Sequence, residues 1–341
     1  MISFVKIYKK MIGGTSKKDF KPLILKIFRK LMEYYEVSNK SVNAFRVLAY
    51  RKAIHILEKH KGSIEDLSDL DLGKKSVDKI KIIMETGTLP IYDEICKDKK
   101  TNALIMFQKV IGVGPKIARE WLKKGVYTLS DLKKKDIKLT ETQKMGIKYY
   151  NDLNTRINRQ DITKIAKIIE KDIRKINKKL ELNIVGSYRM GKETSGDIDL
   201  IITYPDREIV GKSGINIHFM DTILEKIDKY IKYTISHGEQ KSLLIVKFPK
   251  IRKKAMRMDL VCIPHSQFPW YLLYFSSDVT FSRKIRDCAS RKGYKLNEKG
   301  LFYKLNGQKV KLDVKTEKDI FKFLEIDYIK PEDRLIETLS C

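Results

Sequence analysis

At about residue 180 the spacing of apolar residues changes from helical to strand-like, and that change constrains the fold more than any other feature of the chain. Before it, Leu23, Ile27, Leu31 and Tyr34 recur at helical spacing behind Asp19, a candidate cap, and Pro22 in the first turn. The stretches NAFRVLAYRKAIHILEKH and KKSVDKIKIIMETG continue the pattern, the second stopped by Gly87 and Pro90. A second helical unit holds the turn IGVGPKIAREWLKKG and then TLSDLKKK, with Thr128 or Ser130 as caps. Beyond the change, ELNIVG, DIDLIITY, SLLIVKF and MRMDLVCI are β-branched, aliphatic runs bounded by Gly, Pro and Ser, so a mixed sheet with helical cover is expected. From about 266 helix, turn and short-strand signals alternate, and Asn306-Gly307 in FYKLNGQKVKL predicts a hairpin turn. The expected class is α+β and multidomain. Residues 1–18 read as a flexible extension, 19–95 as a helical domain, 96–155 as a helical unit with a hairpin, 156–265 as the sheet domain and 266–341 as a small α+β subdomain.

The chain carries 71 Lys and Arg against 43 Asp and Glu, a formal charge of +28. Part of that excess is solvated lysine, yet such a field concentrates polyanions and favours counterion release from a phosphate backbone. Nucleic acid is the natural partner. Cys96, Cys262, Cys288 and Cys341 lie far apart, with neither metal-ligand spacing nor the density of a disulfide scaffold, so a reducing interior is expected. No apolar run approaches the ~20 residues that cross a bilayer. The expected setting is intracellular, in nucleus, cytoplasm or virion, with no membrane partner. The histidines at 55, 60, 218, 237 and 265 fall in no triad spacing and read as structural or surface residues.

The most informative stretch runs from Gly186-Ser187-Tyr188-Arg189-Met190-Gly191 to Thr194-Ser195-Gly196-Asp197-Ile198-Asp199. Side chains alternate faces along a strand, so Asp197 and Asp199 project to one side while Ile198 points into the core. Two neighbouring carboxylates repel unless cations sit between them, and Mg²⁺ is usually held by one or two carboxylates plus substrate phosphates. Asp259 stands alone among apolar residues in MRMDLVCI, where Arg257, Asp259 and Val261 share a face, and it can complete such a site. Gly186 and Ser187 let backbone amides approach phosphate oxygens. Metal-dependent phosphoryl transfer follows.

The Gly-Ser, spacer, Asp-x-Asp arrangement resembles the nucleotidyltransferase superfamily, and GSYRMGKETSGDIDLIIT resembles the palm of the family X, polymerase beta-like DNA polymerases. That resemblance implies a DNA-directed DNA polymerase that fills short gaps in base-excision-like repair, acting on gapped or nicked DNA and deoxynucleoside triphosphates as a monomer. It implies two Mg²⁺ ions, replaceable by Mn²⁺, with Asp197 and Asp199 holding both and Asp259 the one beside the primer 3′-hydroxyl, Arg257 alongside. Arg156, Gly186, Ser187, Arg189 and Gly196 fall on nucleotide-site positions. In LLYFSSDVTFSRKIR, Tyr274 and Phe275 match a sugar-contacting pair and Arg286 a template-side position. Three positions depart from the family pattern: Met190 stands where a second Arg is usual, Ser277 replaces a Gly, and Ser282 replaces an Asn that meets the incoming base.

Ile111-Gly112-Val113-Gly114-Pro115 followed by KIAREWLKKG resembles a helix-hairpin-helix, in which amides at a helix N-terminus, with Lys116 following, face a phosphate and carbonyls hold a monovalent cation, K⁺ or Na⁺. The run after it is similar to the family's thumb. Leu72 to Ile80 takes the place of a first, degenerate hairpin in the lyase-like domain, and Lys79 matches the Schiff-base lysine of a 5′-deoxyribose-phosphate lyase. Lys75 and Lys79 stand four apart on one helix face, so one can hold a phosphate while lowering the pKa of the other. Tyr50 lies on a matching position, and Arg46 and Lys75 are candidate 5′-phosphate ligands. Two other readings are compatible with the residues: a different transferase of the superfamily, such as an RNA-tailing enzyme, and a non-catalytic gap-binding protein.

Overall fold

In the helical half, α1 (Lys21–Val37), α2 (Asn43–Lys59) and α3 (Lys74–Thr86) bury Ile24, Ile27, Phe28, Leu31, Tyr50, Leu57, Ile80 and Ile83 against one another. The computed structural model describes residues 19–38, 43–62, 64, 70–206 and 219–334; the extension over 1–18 lies outside the described residues. The buried stripe of α1 keeps Ile27 and Leu31 but runs through Ile24, Phe28 and Tyr35, while Leu23 and Tyr34 stand at its edge. Asp19 lies one residue before the cap, Phe20, and accepts the Lys21 N–H at 3.0 Å. At the other end α3 stops where expected: Gly87 takes φ 79°, the left-handed conformation that glycine enters without a Cβ penalty. Helices α4 (Pro90–Lys97), α5 (Lys99–Gln108), α6 (Pro115–Lys123), α7 (Asp131–Lys134), α8 (Glu141–Lys148) and α9 (Tyr150–Leu153) follow. At α7 the cap Ser130 makes no side-chain cap bond; Asp131 instead turns its carboxylate back to the N–H groups of Tyr127 and Thr128. The chain forms two compact units, residues 1–147 and 148–341.

The second unit is built on a five-stranded sheet of order β2 (Glu181–Ile184), β4 (Ile198–Tyr204), β7 (Arg252–Pro264), β6 (Lys241–Phe248), β5 (Ile231–His237). Only β4 and β7 run parallel. Strands β1 (Ile157–Asn158) and β3 (Thr194–Ser195) form a small separate pair. One face of the large sheet, with Leu200, Ile202, Met258 and Leu260, is covered by Ile162, Ile165 and Ile169 of α10 (Arg159–Ile173) and Ile223 of α12 (Phe219–Ile227). Between those helices in chain order comes a four-residue turn of helix, α11 (Gly186–Arg189). The opposite face, with Ile201, Val261 and Ile263, packs on Tyr271 of α13 (Phe268–Phe275). Strand β5 was not among the sequence expectations; IKYTISH alternates half-buried with exposed residues and carries no apolar run to mark it.

A third core joins α14 (Val279–Arg291), the paired strands β8 (Tyr294–Asn297) and β9 (Gly300–Tyr303), and α15 (Glu317–Phe323), through Phe281, Ile285, Leu301 and Phe321. Gly307 turns the chain at φ 70°, as Asn306-Gly307 predicts, and Gly307 N–H to Tyr303 O at 2.8 Å, Tyr303 N–H to Gln308 O at 2.9 Å and Val310 N–H to Leu301 O at 2.8 Å close it back along β9; a second hairpin, β8–β9, turns at Glu298-Lys299. Among the described residues Cys96, which is exposed, and Cys262, which is buried, are free thiols. Among the described residues no helix is long and apolar enough to cross a membrane.

Ile80 is fully buried on α3, whereas Ile82, two residues on, is 39% exposed. Ile80→Ala should destabilise the protein by about 2–5 kcal/mol and Ile82→Ala by less than about 0.5 kcal/mol, read from urea denaturation.

Candidate functional site

Asp199 and Asp259 meet because β4 and β7 are parallel neighbours in a register that makes them Cα partners. Alternation places Asp199 with Ile201, and Asp259 with Val261 and Ile263, on the face that packs beneath α13. Asp197 sits one residue before β4, behind the buried Ile198, and the three residues offer oxygens that all lie within 4.8 Å of one another. The turn that frames them is equally specific. Gly186 adopts φ 61°, a Cβ there would overlap the Asp199 carboxylate, and Val185 donates its N–H to Asp199 O at 2.9 Å. Glycine is therefore required at 186 twice over, for conformation and for space.

Two cations balance the carboxylates. Arg257 pairs with Asp197 Oδ2 and holds Nε 3.7 Å from Asp259 Oδ1, and Lys241 holds Nζ 3.2 Å from Asp259 Oδ2. Burial, then the negative charge of Asp259, pushes the Asp199 carboxyl up to about 7, with Lys241 opposing. Asp259 Oδ1 is buried without a hydrogen-bond partner. A crowded set of hard oxygen donors with one orphaned oxygen fits a divalent cation, so the residues present suit the metal that the family implies. Lys241 was missed from the sequence; it precedes the SLLIVKF run and looks like an ordinary polar strand start.

The nucleotide-side residues divide. Arg156 is exposed and braced on β3, with Nε 3.1 Å from Thr194 Oγ1, and its Nη1 lies 3.6 Å from where a Cβ on Gly196 would stand. Ser187 lies within α11. Arg189 turns away: its Nη2 donates to Glu317 of α15, which is buried and also pairs with the fully buried Arg334 at 3.0 Å. Met190 is buried at 7% exposure. On α13, Tyr274 is 44% exposed and meets Phe275 edge-on at 5.3 Å, and a small cleft beside them is lined by Tyr274, Ser277, Ser282 and Arg286. Ser277 donates to Leu273 O at 2.7 Å and accepts from Arg334 Nη1 at 3.3 Å, so the departure from glycine is absorbed by local bonds. Arg286 Nε donates to Ser282 O at 2.8 Å.

In the first unit, Lys79 Nζ lies 2.7 Å from Tyr50 Oη and 4.6 Å from the centroid of that ring. A cleft of about 400 Å³ opens here, lined by Arg46, Tyr50, Lys75 and Lys79 together with Tyr35 and Phe45. Burial, then the charges of Arg46 and Lys75, lowers the Lys79 ammonium below its usual range. Phe45, 80% exposed at the rim, was not anticipated. At the hairpin, Gly112 takes φ 79° and its carbonyl accepts from Gln143 Nε2 at 3.1 Å; Gly114 caps α6; Lys116 is exposed. Val113 is buried, so only its backbone is available to a phosphate or a cation. His218 lies outside the described residues; His237 bonds Asp221 at 2.8 Å and Ser242 at 2.9 Å, and because Ser242 is fully buried the chain of bonds is a structural tie and not a hydrolytic triad.

A raised carboxyl makes the metal-free fold less stable as pH climbs from the unfolded value near 4 through about 7, because the native state must then ionise a group it holds protonated. Asp199→Asn in EDTA should raise Tm at pH 8 by a few degrees, and the gain should vanish near pH 4, as followed by thermal unfolding.

Four family models match consecutive stretches of the chain: a helix-hairpin-helix domain over 19–89, the fingers domain of DNA polymerase lambda over 105–154, the DNA polymerase beta palm over 156–265 and the DNA polymerase beta thumb over 271–335. The hairpin segment named thumb above takes the fingers label there, and the thumb label goes to the C-terminal stretch; the elements are the same. The chain is 29% identical over 340 residues to "DNA polymerase lambda" of Arabidopsis thaliana, a match covering 93% of this chain and 62% of the relative. To "DNA polymerase lambda" of Rattus norvegicus it is 31% identical over 327 residues, covering 91% of this chain and 56% of the relative. The chain thus spans about 60% of the length of these curated relatives.

Proposed function

The chain belongs to the family X, polymerase beta-like DNA polymerases, and from that premise we propose that it is an intracellular DNA-directed DNA polymerase that fills short gaps during repair. The observation that carries the reading is the registered pair Asp199 and Asp259 with Asp197 beside them, facing the Gly186 turn. Two divalent cations, Mg²⁺ by the chemistry of the donors, would supply the charge that activates the primer 3′-hydroxyl and stabilises the departing pyrophosphate. Asp197 and Asp199 would hold both ions and Asp259 the one on the primer side. The protein's own part is positional: Ser187, Gly196 and Arg156 border the place for the triphosphate, and Tyr274 and Phe275 present an aromatic edge to the sugar. DNA would be gripped through its phosphates by the hairpin at Gly112 to Lys116, without reading base edges.

For the first unit we propose 5′-deoxyribose-phosphate lyase activity. Lys79, with its ammonium lowered by burial and by Arg46 and Lys75, reaches the neutral form a Schiff base requires more readily than an exposed lysine. Arg46 and Lys75 line the same cleft and are placed for a 5′-phosphate. The domain boundaries given by the sequence, 19–95, 96–155, 156–265 and 266–341, divide these tasks into lyase, DNA grip, catalysis and nucleotide selection.

On a one-nucleotide gap with a 5′-phosphate, extension should require a divalent cation, and Asp259→Ala should reduce it by at least about a hundredfold while leaving DNA affinity within twofold. Extension by the variant at more than a percent or so of wild type would remove Asp259 from catalysis. Borohydride should trap a covalent complex with a 5′-deoxyribose-phosphate end, and Lys79→Ala should lose it. Equal trapping by the variant would assign the nucleophile elsewhere.

A further inference from the structure

Lys241 opens β6 with its Nζ between two seats: Asp259 Oδ2 at 3.2 Å, and the ring of Phe275 on α13, whose centroid is 5.1 Å away. The backbone beneath it is held from several sides. Lys241 pairs with Val261 across the β6–β7 ladder, Cys262 donates its N–H to Gln240 O at 2.9 Å, and Tyr271 Oη donates to Gln240 Oε1 at 3.1 Å. His237, tied to both Asp221 and Ser242, fixes the other arm of the same turn. Any adjustment at this point therefore belongs to the four-carbon side chain, which is 45% exposed.

We infer that Lys241 is a displaceable counter-cation of the metal site, neutralising Asp259 when the divalent ion is away and withdrawing onto the face of Phe275 when it arrives. Three carboxylates this close need positive charge in either state. Arg257 is the less movable of the two cations, since it bridges Asp197 and Asp259. Lys241 touches one oxygen of one carboxylate, and that residue's other oxygen is the orphaned one. A lysine ammonium is a compact point charge on a flexible stem, and an aromatic face within about 6 Å is a recognised resting place for it. Arrival of the divalent ion at Asp259 would then be reported directly to α13, the helix that carries Tyr274.

The inference rests on the proposed two-metal reading of the site, and its test separates the two. Mn²⁺ is titrated into the full chain, without DNA or nucleotide, and free Mn²⁺ is counted by electron paramagnetic resonance. Lys241→Met should bind Mn²⁺ roughly two- to fivefold more tightly than wild type, the range that one half-exposed ion pair corresponds to, and Lys241→Arg should stay near wild type. Phe275→Leu should bind about twofold more weakly, because the ammonium loses its second seat; Phe275→Tyr keeps an aromatic face and controls for packing. In the Lys241→Met background Phe275→Leu should have no effect. Unchanged or weaker binding by Lys241→Met overturns the inference, as does a Phe275→Leu effect that is absent in wild type or persists without the lysine. Failure of the wild type to bind Mn²⁺ overturns the two-metal reading and this inference together.

Discussion

Everything at the acidic end of the second unit follows from one parallel pairing. In register, β4 and β7 bring Asp199 opposite Asp259, and a slip of one residue would move either carboxylate to the other face of the sheet. That register is set by apolar side chains on both faces: Leu200, Ile202 and Leu260 against α10 and α12, Ile201, Val261 and Ile263 against α13. The core thus supplies the energy that holds like charges together. The fold places an electrostatic conflict at the rim of a fully buried core, where the surrounding rigidity can sustain it.

The cations around the triad show how that conflict is managed. Arg257 comes from the same strand as Asp259, two residues away, and so arrives with it. Lys241 comes from the next strand, and its placement depends on the β5–β6 turn being tied down by Gln240 and His237. Removing water from Asp199 makes these partners matter more, because burial first and then the charge of Asp259 hold that carboxyl up near neutrality.

The sequence made the strands β2, β4, β6 and β7, the helical units and the Asp-x-Asp with Asp259 legible, because each rests on local chemistry: a period, a glycine turn, a lone carboxylate in an apolar run. What it hid depended on pairing across long separations. Strand β5 has no apolar run of its own and exists because β6 offers it an edge. Lys241 gains meaning only from the register that brings it near Asp259. Arg189 sits in the motif beside Ser187, yet it turns to Glu317, 128 residues away, a partner that no local pattern announces. Asn306-Gly307, by contrast, carries a local turn signal that the structure keeps, its flanks closing back on β9 through the Phe302–Lys309 bridge and the Val310 N–H to Leu301 O bond.

Arg334 is fully buried near the end of the described chain, bonded to Ile329 O, Ser276 O and Glu317. Because Glu317 in turn holds Arg189, the turn at Arg334 and the loop beside the three aspartates share one buried carboxylate. A chain cut before Arg334 would leave that carboxylate with one of its two cations, and the loss would be felt at the far end of α11, where the nucleotide's phosphates are expected.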